Sequence, residues 1–185
     1  MGADAIECDL VPTSDQRLII RHENELSGTT DVAAHAEFAS RHRSQTFYEL
    51  FEVSGWFSED FTLEEIRTLR ATERIPEVRP GSAKFDGQFS VPSVEDLLAA
   101  DFVAGKTLII EIKHGAHFKK LGFDSVALLA KAVAASDWQQ RGVKLVFEGF
   151  DYSTVVAMKQ AIGGESKFVY LVEGWGMPKD PTQVL

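Results

Sequence analysis

From residue 107 onward, the chain alternates apolar, strand-like runs with helical stretches. The pattern predicts strands at 107–112, 143–148 and 167–172, separated by helices at about 124–136 and 152–162. This alternation is typical of an α/β fold with a parallel sheet. The strands are near-continuous apolar runs, so we expect helices to cover both faces of the sheet. Such sheets place their chemistry at the carboxyl ends of the strands, where candidate site residues should be sought.

The first part of the chain predicts two strands joined by a turn. They lie at about 5–11 and 17–22, and the spacing between them fits a turn and not a helical crossover. Residues 23–60 are mixed in character and fit a long functional or covering insertion. We expect its aromatic residues to form a small core of their own: Phe47, Tyr48, Phe51, Trp56, Phe57 and Phe61.

Two capping signals predict short helices further on. Thr62-Leu63-Glu64-Glu65 has the form of a capping box, which predicts a helix at about 62–71. Residues 74–92 hold three prolines and two glycines and are expected to form an ordered surface loop. Ser93 then caps another helix.

Composition narrows the possible functions. The net charge of −9 argues against broad binding to nucleic acid or to an anionic membrane surface. No apolar run approaches the roughly 18–20 residues of a membrane helix, so we expect a soluble protein. The single cysteine, Cys8, lies in an apolar strand and is expected to be a buried, inert thiol.

Two acids near the start of the chain are the first candidate site. Glu7 and Asp9 lie one residue apart in a strand and therefore share a face of the sheet. Such neighbours repel each other unless a positive charge lies between them, and their oxygens suit Ca²⁺ or Mg²⁺. The alternative is a solvated or ion-paired strand edge.

Other polar residues follow predicted strands. Glu111 and Lys113 end one strand and His22 ends another. The alternative for Glu111 and Lys113 is a simple ion pair, and the alternative for His22 is a hydrogen-bonded histidine at a strand terminus. His114 and His117 either line a substrate mouth or belong to a surface loop. The run Arg41-His42-Arg43 is assigned no role, because a charge run is more often a solvated face.

Five segments, in order, resemble motifs of the glycerophosphodiester phosphodiesterase family, and they span nearly the whole chain. They are residues 1–10 with Glu7 and Asp9, the His22-Glu23-Asn24-Glu25 motif, an insertion like that of larger bacterial members at 27–33 and 57–66, Ile110-Glu111-Ile112-Lys113-His114, and Phe147-Glu148-Gly149-Phe150-Asp151. The last departs from the family's Gln-Ser-Phe, because Glu148 and Gly149 replace its first two residues.

The resemblance implies one domain over residues 1–185, a partial TIM (β/α)₈ barrel with an insertion after the second barrel strand, in which about 23–92 are insertion and connecting segment. It implies hydrolysis of glycerophosphodiesters to glycerol 3-phosphate and an alcohol. A divalent metal, Ca²⁺ or Mg²⁺, would be held by Glu7, Asp9 and Glu111. Lys113 would pair with the substrate phosphate, and His22 would be the general acid or base.

Two family motifs are absent from the sequence. The His-Arg-Gly motif, which carries the first catalytic histidine, and the Glu-Asn-Thr motif that follows it have no counterpart here. A complete barrel needs about 250 residues, so we expect a truncated chain that is inactive alone and pairs with missing segments of its own barrel. The compartment stays open: cytoplasmic, or periplasmic or secreted if a lost segment carried a signal. The alternatives are a non-catalytic binding or interaction module and, less in keeping with the charge, a phospholipase D-like relative.

Overall fold

The computed structural model describes residues 2–47 and 51–172. The strands are β1 (Ala5–Pro12), β2 (Leu18–Ile20), β3 (Arg43–Phe47), β4 (Phe51–Gly55), β5 (Thr107–Ile112), β6 (Lys144–Gly149) and β7 (Lys167–Tyr170). The helices are α1 (Leu63–Thr68), α2 (Pro80–Ala83), α3 (Val94–Ala99), α4 (Gly115–Lys120), α5 (Ser125–Ala135) and α6 (Tyr152–Ala161). Four short 3₁₀ turns lie at Val32–Ala34, Ala36–Arg41, Ser58–Asp60 and Asp101–Val103.

In the described part of the chain, the main sheet has five strands in the order β2-β1-β5-β6-β7. The pairs β1–β5, β5–β6 and β6–β7 are parallel, and β2 pairs antiparallel with β1. The expected α/β fold with a mostly parallel sheet is confirmed. The turn between β1 and β2 is also confirmed, since it returns the chain beside the strand that it left.

Helices cover one face of this sheet. Alternate side chains of the parallel strands point to this face, where Leu10, Ile110 and Phe147 pack with residues of α3, α5 and α6. Cys8 belongs to the same core, and burial raises the pKa of its thiol to about 12, as expected for an inert cysteine. The expectation that helices cover both faces is wrong, because the other face carries acidic side chains beside the half-buried Ile109 and Val146.

A second core lies under the segment that precedes α3. Val11 and Ile19 of the sheet pack there against apolar residues of the 26–69 region, among them Phe38, Phe61 and Ile66. The 43–55 region folds as an antiparallel hairpin of β3 and β4, which the sequence did not indicate. The assignment of 23–92 to a family insertion stays a prediction. Tyr48, one of its predicted core aromatics, lies outside the described residues, as do the side chains of Phe47 and Phe51.

The predicted caps are present, but several boundaries differ. Thr62 accepts a hydrogen bond from the Glu65 amide, yet α1 ends at Thr68 because Leu69 is extended. Ser93 caps α3 in a capping box with Asp96.

Three further differences concern element lengths. The strand predicted at 17–22 is only β2, so His22 lies beyond it in a bend. The loop at 74–92 includes the one-turn helix α2, and α4 follows β5 directly where no helix was predicted. Both helices are too short to show the helical spacing of apolar residues by which a helix is predicted from sequence.

Candidate metal and phosphate site

Acidic side chains of three neighbouring strands form one row across the face of the sheet opposite the helices. Asp9 of β1 is in register with Glu111 of β5, and Glu111 is in register with Glu148 of β6. Glu7 lies two residues before Asp9 and therefore shares its face. The structure thus places the three predicted metal ligands on one face of two adjacent strands, and it adds Glu148 of the next strand to this row.

Lys113 lies between two of these acids. Its Nζ is 2.8 Å from Glu111 Oε2 and 3.1 Å from Asp9 Oδ1. The side chains are 12% exposed for Lys113, 14% for Asp9 and 6% for Glu111, so the pairs are largely removed from water. The ring of Phe150 lies 5.6 Å from the same ammonium, at cation–π distance.

The acids outnumber the cation that neutralises them. Burial raises the pKa of Glu7, and repulsion from Asp9 and Glu148 adds to the effect. Burial also raises the pKa of Glu111 despite its hydrogen bond with Lys113. Burial opposes the charge of Lys113, but the hydrogen bonds with Glu111 and Asp9 outweigh it and raise the pKa of the ammonium. The cluster therefore favours the binding of additional positive charge.

The donor set fits a hard divalent cation in its chemistry. Carboxylate oxygens are the ligands that Ca²⁺ and Mg²⁺ prefer, and burial, aided by repulsion between neighbouring acids, raises the pKa of Glu7 and of Glu111. The arrangement does not close around an ion, because Lys113 lies between Asp9 and Glu111. Among residues 2–47 and 51–172, no three acidic, histidine or cysteine side chains are grouped so as to hold a metal.

His22 approaches the acidic row from the antiparallel strand. The backbone amide of Arg21 donates to the Asp9 carbonyl, which sets His22 beside β1, and the charge of His22 acts on Glu7. The expectation that His22 ends a strand is wrong, because β2 ends at Ile20 and His22 lies in a bend. Its Nδ1 lies 2.8 Å from Glu23 Oε1, and Glu23 is also paired with Arg74. The ion pair with Arg74 holds the Glu23 carboxylate in place, and Glu23 in turn restrains the imidazole of His22.

The partly buried side chain of Arg21 organises the loop that carries His22. It donates to the carbonyl oxygens of Glu23 and Glu25, at 3.2 and 2.8 Å, and to the hydroxyl of Thr29 at 2.6 Å. These bonds turn the chain away from the sheet after Ile20. The early end of β2 follows from them.

The two other histidines near the site lie on the segment after β5. His114 has the left-handed φ of 52° and begins α4, and burial lowers its pKa to about 4, helped by the charges of His117 and Lys113. His117 Nε2 lies 3.0 Å from the side-chain amide nitrogen of Gln45 in β3. Both histidines are partly buried and do not belong to a solvated loop.

The arginines of the Arg41-His42-Arg43 run are engaged in ion pairs. Arg41 binds both carboxylate oxygens of Glu65, at 2.8 and 2.5 Å, and lowers the pKa of Glu65 to about 2. Arg43 pairs with Asp60 and with the buried Glu59. Arg41 ties the 36–60 region to α1 and Arg43 ties β3 to the Ser58–Asp60 turn, which differs from the solvated face that a charge run usually forms.

Glu148 is the site residue that the sequence reasoning missed. The resemblance gives it no role, because Glu148 and Gly149 replace the first two residues of the Gln-Ser-Phe motif. Its position near the end of strand 143–148 matches that of Glu111 in strand 107–112, and this equivalence was the available signal.

The fold and the site define an α/β protein with a mostly parallel sheet and a cluster of carboxylates and one lysine on its strands. The model of the glycerophosphoryl diester phosphodiesterase family matches residues 1–181. The chain belongs to that family, whose members are typically metal-dependent.

Curated relatives agree with this assignment. A glycerophosphodiester phosphodiesterase of Arabidopsis thaliana is 37% identical over 117 residues, which are 61% of this chain and 30% of that protein. One from Haemophilus influenzae is 41% identical over 73 residues, 40% of this chain and 17% of that protein. The chain therefore spans less than a third of the length of either relative.

Solved structures share the fold. A glycerophosphoryl diester phosphodiesterase from Silicibacter pomeroyi, described as putative, has a TM-score of 0.60 at 20% identity, over 95% of this chain and 57% of that one. An Oleispira antarctica phosphodiesterase, solved in complex with the product sn-glycerol-3-phosphate, has a TM-score of 0.58 at 18% identity, over 86% and 51%. The chain resembles about half of each domain. Within its described part, no helix is long and apolar enough to cross a membrane.

Proposed function

We propose that this chain supplies the metal- and phosphate-binding part of a site that hydrolyses glycerophosphodiesters to glycerol 3-phosphate and an alcohol. The observation that carries the proposal is the contact of Lys113 with Asp9 and Glu111 on adjacent parallel strands. One cation thus lies among acids whose charge it balances only in part. Such a cluster suits a substrate phosphate that arrives together with a divalent ion.

The residue roles follow from side-chain chemistry. Glu7, Asp9 and Glu111 would hold Ca²⁺ or Mg²⁺, which supplies Lewis-acid stabilisation of the phosphate charge. Lys113 must leave its position between Asp9 and Glu111 to admit the ion, and its ammonium is then available for a non-bridging phosphate oxygen. His22 would transfer the proton of the leaving alcohol or of the attacking water, with its ring held by Glu23.

The sequence lacks the family's His-Arg-Gly motif, so the proposed chemistry needs a second histidine from elsewhere. We therefore expect the 185-residue chain alone to be inactive, or nearly so. A peptide that carries the His-Arg-Gly motif and is added in trans should restore turnover.

A coupled assay for glycerol 3-phosphate, with glycerophosphocholine as substrate and Ca²⁺ or Mg²⁺ present, tests the proposal. Turnover should appear with the peptide, and Glu111→Gln should remove it, whereas the matched variant Glu95→Gln should not. Glu95 is an acid of α3 that pairs with the exposed Arg17. No turnover with either metal, with the peptide present, would contradict the proposal.

The second candidate function is a non-catalytic binding or interaction module. Two observations favour it. Lys113 already occupies the space between Asp9 and Glu111. The described residues also form no group of three ligands that could hold a metal. Under this alternative the acid cluster is a structural ion-pair network. Added peptide would then leave the chain inactive, and neither metal would bind at the cluster.

A further inference from the structure

The segment that carries His22 is held at two points, one on each side of the histidine. Before it, the Arg21 amide donates to the Asp9 carbonyl of β1, at 2.9 Å. After it, Asn24 is only 2% exposed, and its backbone carbonyl accepts the Ser58 amide at 2.8 Å. His22 itself lies in a bend, and its side chain is 62% exposed. Its place beside β1 therefore depends on the residues that hold the loop, since the imidazole is not packed into a core.

A buried pair of polar side chains forms the second of these points. The side-chain amide of Asn24 donates to both carboxylate oxygens of Glu59, at 3.1 and 3.0 Å. Glu59 lies in the 3₁₀ turn Ser58–Asp60, and its side chain is 5% exposed. A carboxylate removed from water needs hydrogen-bond donors, and those that reach it form strong, charge-assisted bonds. The loop after His22 is thus fastened to the turn by a side chain as well as by its backbone.

Glu59 is itself fixed by Arg43 of β3. The Arg43 Nη2 atom lies 3.1 Å from Glu59 Oε1, and its Nε lies 2.6 Å from Asp60 Oδ2. The guanidinium carbon lies 4.4 Å from the centre of the Phe57 ring, at cation–π distance. The carboxylate that receives Asn24 therefore has a defined position before the loop docks on it.

The same turn is anchored to the strand that carries two of the predicted metal ligands. The Ser58 hydroxyl donates to the carbonyl of Pro12, the last residue of β1, at 2.8 Å. Glu7 and Asp9 lie earlier on that strand. A path of hydrogen bonds therefore runs from β1 through the turn to the loop of His22, and it sets the place of the imidazole relative to these acids.

We propose that Asn24 and Glu59 are positioning residues for His22, and that the contact between their side chains keeps the imidazole beside the acidic row. The inference rests on the proposed function, in which His22 transfers a proton, because it names the pair that holds this histidine in place. Both side chains are buried, so they act through the backbone of the loop and not by contact with substrate. A displacement of about 1 Å at a catalytic group can cost about a hundredfold in rate.

The pair permits an isosteric exchange that separates positioning from stability. Asn24→Asp sets two buried carboxylates against each other, so the contact must open or one of them must take up a proton. Addition of Glu59→Gln to this variant restores one amide and one carboxylate, with donor and acceptor exchanged. Ile66→Val is the matched control, because it removes one methyl group from the second core and leaves both polar side chains in place.

Backbone dynamics test the proposal without turnover. In ¹⁵N relaxation of the 185-residue chain, the amide order parameters of His22 and Glu23 should be about 0.85 and should fall towards about 0.6 in Asn24→Asp. The double variant should recover most of the fall, and Ile66→Val should show none. Glu59→Gln alone adds no charge and should show a smaller fall, which decides the matter if Asn24→Asp does not fold. Unchanged values in both single variants, or an equal fall in Ile66→Val, would overturn the proposal.

Kinetics separate this proposal from the function on which it rests. With the His-Arg-Gly peptide present, Asn24→Asp should lower kcat for glycerophosphocholine by about ten- to a hundredfold and change KM little. The double variant should recover most of this loss, and Ile66→Val should keep the original kcat. Hydrolysis with kcat unchanged in Asn24→Asp would overturn the positioning role and leave the function standing. No turnover by the unaltered chain would contradict the function, and the order parameters would then decide whether the pair holds His22.

Discussion

Replacement of Lys113 by methionine tests whether this residue is the internal cation of the acidic row. The substitution keeps the length of the side chain and removes its charge, which leaves Asp9 and Glu111 largely buried without their partner. Breaking a buried ion pair costs about 3–5 kcal/mol of the free energy of unfolding, because the remaining charge stays desolvated. We expect a loss of this size at about pH 7.

The pH dependence of that loss gives a sharper test. Burial already raises the pKa of Glu111 and Glu7, so their stabilising contribution is complete below the unfolded pKa and declines as pH rises through the folded pKa. Without Lys113, both pKa values should rise further. The loss should therefore be largest near neutral pH and shrink as the pH falls towards about 4.3, the ordinary value for glutamate.

Urea unfolding followed by tryptophan fluorescence, at about pH 7 and about pH 5, measures both effects. Lys106→Met is the control, because the Lys106 ammonium, just before β5, donates to the exposed Ala3 carbonyl and not to an acid of the row. It should change the free energy of unfolding by no more than about 0.5 kcal/mol. Equal losses for the two variants, or a Lys113→Met loss that does not change with pH, would refute the reasoning.

Three further predictions concern the scaffold. Gly115→Ala should cost about 1–3 kcal/mol in thermal unfolding, because its Cβ would lie closer than 3.0 Å to Thr154, and Thr154→Ala in the same chain should recover part of the loss. Arg41→Met should return the pKa of Glu65 from about 2 towards its ordinary value in an NMR titration; the stability that this pair contributes is present above about pH 4.3 and is lost as the pH falls through 2. Cys8 should not react with an aromatic disulfide reagent in the folded chain and should react on unfolding, whereas rapid reaction of the native chain would contradict its burial.

The parallel part of the sheet was predictable because its signals are local. The strand predicted at 107–112 is β5 without change, since a run of apolar residues bounded by polar ones defines it. The shared face of Glu7 and Asp9 follows from strand alternation alone. Their neighbour across the sheet, Glu111, required knowledge of the register, which the family motif supplied and the structure shows.

Features that depend on tertiary contacts were missed. No sequence signal near Ile20 predicts the end of β2 there. The strand ends because the Arg21 side chain binds the backbone carbonyls of Glu23 and Glu25 in the following loop. The β3–β4 hairpin pairs mainly polar segments, so it lacks the alternation by which strands are recognised. The contact of Lys113 with Asp9, on another strand, likewise depends on the parallel register.

The proposal on which the others depend is that Glu7, Asp9 and Glu111 form a site for a divalent cation. Calorimetric titration of the 185-residue chain with Ca²⁺, and separately with Mg²⁺, tests it most directly. We expect saturable binding of one ion, lost in Glu111→Gln and retained in Glu95→Gln. An absence of saturable binding with both ions, or binding that Glu111→Gln leaves unchanged, would contradict it.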